Sequence, residues 1–134
     1  METDPYKKAK TLYKIALEFK ARGRKSTARS YANKALGYQP SLGKAHLMIA
    51  SLYASSANDC GNTQFEKRAV YWLAAKTARR AGKVDASLKK NANKTALSYE
   101  GRAPSKTDIF TEGNAGITIK FDCWIRGSVT VPSL

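Results

Sequence analysis

Small and apolar residues recur with helical spacing along the first forty positions. Leu12, Ile15, Ala16 and Phe19 fall at i, i+3, i+4 and i+7, which places them on one helix face. Gly23 follows, where a helix end favours a residue that tolerates positive φ. Ala28, Ala32, Ala35 and Leu36 then line one face of a second helix. Pro40 ends it, because its ring and missing N–H cannot continue a helix. Alanine at these positions has a physical meaning: small side chains at a crossing let two helix axes approach. At the chain start, Asp4-Pro5 reads either as an N-cap with proline at the first helical position or as the end of a preceding helical pair.

These positions resemble the tetratricopeptide (TPR) signature, W-x2-L-G-x2-Y followed by A-x3-F, A and P. Leu12 stands for the Trp, Ile15 for the Leu, Ala16 for the Gly and Phe19 for the Tyr. Ala28, Ala35 and Pro40 match directly, and Ala32 replaces the Phe. The resemblance implies antiparallel helical hairpins stacked as an α-solenoid. An unrelated amphipathic hairpin is the alternative.

The pattern then returns. Ala45, His46, Ile49, Ala50 and Tyr53 take the offsets that Thr11, Leu12, Ile15, Ala16 and Phe19 hold before them, predicting a helix over 42–57. Its partner comes late. Aligning Ala81, Val84 and Asp85 with Ala35, Tyr38 and Gln39 puts Ala86 where Pro40 stood, 46 residues on (86 − 40). A TPR period is about 34 residues, so about 12 are inserted. They cover 58–66 and an N-terminal extension of the second helix, with Asn58, Asp59, Gly61 and Asn62 as loop formers. Thr63 is the expected N-cap, and Phe65, Ala69, Trp72 and Leu73 carry the stripe onward.

A capping helix is predicted over 87–99. It has a narrow stripe of Leu88, Ala92, Thr95, Ala96 and Tyr99, and a polar face of Lys89, Lys90, Asn91, Asn93 and Lys94. Gly101 and Pro104 end it. Beyond that the period changes to two. Ile117, Ile119, Phe121, Cys123 and Ile125 alternate with Thr118, Lys120, Asp122, Trp124 and Arg126, predicting a strand. Gly127-Ser128 reads as a two-residue hairpin turn and Val129-Thr130-Val131 as the return. A lone hairpin is marginal in water, so its apolar face is expected on the helices. Its edge also offers a place for another strand. The expectation is one mainly α domain: first repeat 6–40, second repeat 41–86, capping helix 87–101 and β-hairpin tail 104–134.

Charge narrows the partners. The 134 residues hold 24 Lys+Arg against 10 Asp+Glu, a net +14, which favours an acidic partner: nucleic acid, anionic lipid, or an acidic protein or peptide. A hydrophobic content of 43% and seven tyrosines argue for a folded chain. No apolar run is long enough to cross a bilayer, and the start has no signal-peptide core. The opening Met-Glu-Thr-Asp reads as the start of a fragment, so that absence carries no weight on compartment.

Cys60-Gly61, Phe65-Glu66-Lys67, Ala69-Val70-Tyr71-Trp72, Lys83-Val84-Asp85 and Cys123-Trp124-Ile125 together resemble the C-terminal module of a group of bacterial TPR proteins. That resemblance implies a protein-interaction scaffold without established chemistry. It covers about Ser30 to Ile125, and the heavy Lys/Arg load and Ala86 in place of proline depart from it.

Cys60 and Cys123 form a disulfide if the tail packs beside the insert; otherwise they are two buried thiols in a reducing compartment. The disulfide would place the chain in the periplasm or cell envelope, free thiols in the cytoplasm. Two Cys and one His are too few for a structural zinc site, and the C-x-x-C redox spacing is absent. His46 occupies a helix-packing position with no acidic neighbour in sequence. No paired carboxylates or Gly-rich phosphate loop appear, so neither catalysis nor a cofactor or metal is expected.

Binding is expected instead. In TPR proteins the first helix of each repeat lines the groove. This resemblance points to Lys10, Tyr13, Lys14, Leu17 and Lys20 from the first repeat, and to Lys44, Leu47, Met48, Ser51 and Ser55 from the second. Mixed basic and apolar residues suit a peptide with acidic and hydrophobic anchors. Leu17 and Ser51 stand where a carboxylate clamp would need asparagine. The alternative is a plain solvated face. A rival site is the basic stripe Lys76, Arg79, Arg80 and Lys83, with Arg22, Arg24, Lys25 and Arg29 near the first turn, which would suit nucleic acid. A structural end of a longer array, or self-association through an open N-terminal face, is the third reading.

Overall fold

A computed structural model describes residues 3–134. Helix α1 (Pro5–Ala21) begins with a true cap: the Asp4 carboxylate accepts the Tyr6 amide at 2.9 Å and Pro5 takes the first helical position. Gly23 turns the chain with φ 76°, and α2 (Lys25–Tyr38) folds back along α1. Helices α3 (Gly43–Ala54) and α4 (Gln64–Val84) form the second pair, and α5 (Lys89–Glu100) packs on α4. Short 3-10 turns at Ala57–Asp59 and Ala86–Leu88 lead into α4 and α5. Thr63 caps α4 by accepting the Glu66 amide at 3.1 Å, while Glu66 accepts the Asn62 amide at 3.0 Å.

Alanine sets how close these helices come. Ala9, Ala16, Ala28, Ala32 and Ala35 are fully buried between α1 and α2. Ala50, Ala75, Ala78 and Ala96 join α3, α4 and α5. Leu12 and Phe19 pack against the first of these cores, and the Phe19 ring stacks on Tyr31 at 5.4 Å. Gly43 is a tighter case. A Cβ there would lie 2.8 Å from the Ala81 carbonyl oxygen and 2.9 Å from Leu88 Cδ1.

Three expectations need correction. Helix α3 stops at Ala54, short of 57, because Ser55 and Ser56 turn their hydroxyls back onto the Leu52 carbonyl at 2.9 Å each. The segment 104–134 is not all hairpin. It opens with α6 (Lys106–Glu112), started by a reciprocal Ser105–Asp108 capping box and ended by Gly113 at φ 65°. The strands are short, β1 (Thr118–Lys120) and β2 (Ser128–Thr130), paired antiparallel with Thr118 opposite Thr130, Ile119 opposite Val129 and Lys120 opposite Ser128. The turn is therefore not Gly127-Ser128 but the loop 121–127, closed by the Phe121 amide donating to the Gly127 carbonyl at 2.9 Å. The alternation persists in burial only in part: Phe121 and Ile125 are buried while Lys120, Asp122 and Arg126 are exposed, but Ile117 is 54% exposed and Trp124 is half-buried. It lies in a loop and not a ladder because residues 123–125 are held by groups outside the sheet.

Gly43→Ala should destabilise the fold by about 1–3 kcal/mol, since the clash is with backbone and a packed leucine. A urea midpoint unchanged from the parent would contradict the close α3–α4 approach.

Candidate functional site

Two pairs of side chains join α1 to α3. Lys20 Nζ donates to Ser51 Oγ at 2.9 Å, and Ser51 Oγ donates in turn to the Met48 carbonyl at 2.7 Å. Lys44 Nζ sits 4.8 Å above the Tyr13 ring. Half-burial pushes the Tyr13 hydroxyl above the usual tyrosine pKa. Lys10, Lys14 and Leu17 are exposed on the same helix as Tyr13. Leu47 is half-buried and packs beside Ala50, Ala96 and Tyr99. Met48 does not face the groove. It is 4% exposed and packs into the core with Ala45, Ile49 and Leu52. Ser55 lies at the end of α3, where its carbonyl accepts Lys25 Nζ at 3.1 Å, so its backbone is turned to α2.

The basic stripe on α4 is split. Lys76, Arg80 and Lys83 are exposed, whereas Arg79 is paired with Glu100 of α5. His46 is half-buried on α3. Burial first, and the positive charge of Arg80 second, hold its pKa below the ordinary histidine value. Near the first turn, Arg22 and Arg24 lie 6.0 and 5.4 Å over the Phe19 ring.

Arg29 does something the sequence did not disclose. Its Nη1 donates to the Ile125 carbonyl at 2.7 Å and to Tyr53 Oη at 3.2 Å, and its Nη2 donates to the Trp124 carbonyl at 3.1 Å. The guanidinium also lies 4.9 Å from the Trp124 ring. Trp124 Nε1 donates to Ser56 Oγ at 3.0 Å, and the same fully buried oxygen accepts Lys25 Nζ at 3.1 Å. Beside this network Cys60 and Cys123 form a disulfide with Cα atoms 5.1 Å apart. The tail thus reaches α2, α3 and the insert together. Trp124 and Tyr53 belong to the cores on both sides of this junction.

A second arginine anchors α6. Arg68 donates to the Arg102 and Ala103 carbonyls at 3.2 and 3.1 Å and to Asp108 at 3.1 Å. Asp108 has a lowered pKa because the Ser105 backbone amide donates to it, then the Ser105 hydroxyl, with Arg68 adding to both. The S-x-x-D capping pattern at 105–108 was readable from sequence; the carbonyl targets of Arg29 and Arg68 were not. No helix among the described residues is long and apolar enough to cross a membrane.

Comparison with models of known protein families, with curated proteins and with solved structures finds no match to this chain.

Replacing both cysteines by serine should cost about 4 kcal/mol, the chain-entropy figure for a loop of 63 residues. A thiol titration of unfolded, unreduced protein should find no free thiol; two would refute the bond. His46 gives a pH signature. Its folded pKa lies below the unfolded value of about 6.5, so its stability is complete above that pH and is lost as pH falls through the unfolded and then the folded pKa. His46→Gln should flatten that part of the urea-midpoint profile, and a profile of unchanged slope would discount the assignment.

Proposed function

We propose that the chain is a TPR-type helical-repeat module that binds a peptide or protein partner along the face shared by α1 and α3, and that it catalyses no reaction. The observation that carries this reading is the pairing of Tyr13 with Lys44 and of Lys20 with Ser51. All four residues are groove positions in the repeat resemblance, and they meet across two helices instead of scattering. Supporting it, Lys10, Lys14, Lys20 and Lys44 take part in no ion pair among the described residues. Their charges are left without a carboxylate partner and suit acidic groups, while Tyr13, Leu17 and Leu47 offer apolar contact.

The disulfide favours an oxidising compartment such as the periplasm or cell envelope. A second reading, nucleic-acid binding, draws on exposed Lys76, Arg80 and Lys83 of α4. The outer side of α1 and α2 also leaves a hollow lined by Lys8, Thr11, Leu12 and the exposed Tyr38, which suits a further helical pair or a second copy.

Selection from a peptide array, followed by titration of the best peptide, tests the main reading. Tyr13→Ala combined with Lys44→Glu should weaken binding at least about tenfold with the far-UV circular dichroism intact. Undiminished binding by that variant, or loss only on reversing Lys76 and Lys83, would remove the groove from consideration.

A further inference from the structure

The fully buried alanines give α1, α3 and α5 a common register. Ala16, Ala50 and Ala96 are each 0% exposed, and each is followed three residues later by a half-buried aromatic, Phe19, Tyr53 and Tyr99. Helix α5 is therefore in phase with α1 and α3, although its sequence reads as a polar cap. Six residues before each alanine stands an exposed lysine: Lys10, Lys44 and Lys90. One residue after the first and third alanines stand exposed leucines, Leu17 at 40% and Leu97 at 64%.

Contacts tie the row together. Lys44 reaches Tyr13 of α1. The start of α3 lies against the turn that leads into α5, where Gly43 meets Leu88 so closely that a Cβ would stand 2.9 Å away. Neither of these two helices has an acidic residue in its own first turn, although Asp85 caps the turn that leads into α5 by accepting the Ser87 amide at 3.0 Å. The ion pairs of the described residues, Arg68–Asp108 and Arg79–Glu100, involve none of the three lysines.

Resting on the groove reading above, we propose that the binding face extends over α5 and takes an extended acidic segment with a carboxylate at every third residue, one for each of Lys10, Lys44 and Lys90. The spacing follows from geometry. Lys20 reaches Ser51 and Lys44 reaches Tyr13, so α1 and α3 lie side by side, and neighbouring helices stand about 10 Å apart. A polyproline II segment has three residues per turn at about 3.1 Å each, so every third side chain falls on one face about 9 Å apart. Such a segment is stiff before it binds, which limits the entropy lost on docking. The residues between the acids would cover Tyr13, which lies beside Lys44.

The test uses the whole oxidised chain and three synthetic peptides of about twelve residues: Glu-Pro-Pro repeats, the same composition with the glutamates gathered at one end, and Gln-Pro-Pro repeats. The spaced acidic peptide should bind about tenfold more tightly than the gathered one, and Gln-Pro-Pro should bind weakest. Lys90→Glu should reduce affinity as much as Lys10→Glu, and Lys76→Glu should reduce it far less. Equal affinity for the spaced and gathered peptides would overturn the inference. So would a Lys90→Glu effect no larger than that of Lys76→Glu, or displacement of the peptide from the row by a tighter-binding single-stranded oligonucleotide of equal charge. Amide chemical shifts separate the two levels. Changes confined to α1 and α3 would overturn the α5 extension and leave the groove standing; changes outside all three helices would overturn both.

Discussion

The fold depends on helices packed closely enough that a methyl group fills the gap between them. Ala9, Ala16, Ala28, Ala32 and Ala35 have no exposed surface, and neither do Ala69, Ala74, Ala78, Ala81, Ala92 and Ala96 further on. Close axes give extensive van der Waals contact, but each alanine removes little apolar area from water. Larger side chains must supply the rest. The largest fully buried side chains are Phe121, Leu52, Val70 and Val131, and two of these four belong to the C-terminal tail. The tail is thus part of the core and not an appendage, which explains why two separate arginines and a disulfide hold it.

Charge shapes how that holding is done. Ten acids cannot neutralise 24 cations, and only two ion pairs form among the described residues. The cations turn to other acceptors. Seven of them lie over aromatic rings, Arg29 over two, and Arg29, Arg68 and Lys25 donate to backbone carbonyls. A guanidinium suits this work because it is planar, keeps its charge and stacks while donating in its own plane. Losing Arg29 would leave two carbonyls and a tyrosine hydroxyl without their donor, a heavier penalty than losing an exposed ion pair. The same shortage of acids leaves the lysines of α1, α3 and α5 open to a partner.

Features set by near neighbours in the chain are legible in the sequence. The Asp4 and Thr63 caps, the φ-positive Gly23, the alanine faces of α1 and α2 and the polar face of α5 each depend on residues within a few positions of one another. Cys60 and Cys123 are legible only as a disulfide or two buried thiols; the tail does lie beside the insert, and the disulfide forms. Features set by remote partners are not legible there. The alternation over 117–125 predicts a strand, but Cys123, Trp124 and Ile125 are drawn to Cys60, Ser56 and Arg29, which shortens the ladder to three residues. Met48 was placed in the groove by repeat offset, yet its side chain fills the core. Helix α6 carries its own start signal at Ser105–Asp108, which the apolar alternation just downstream overshadowed.

The contact from Arg29 to Ile125 spans 96 residues. Contacts so distant along a chain close late and slow the approach to the native state. A ribosome releases the N-terminal helices first, so α1 to α4 are able to pair while Tyr53, Val70 and the Arg29 guanidinium still await the carbonyls and rings that cover them. The nascent chain therefore carries an uncovered apolar seam until residues 121–131 emerge, and that interval is when it is most open to a chaperone, a protease or a wrong neighbour.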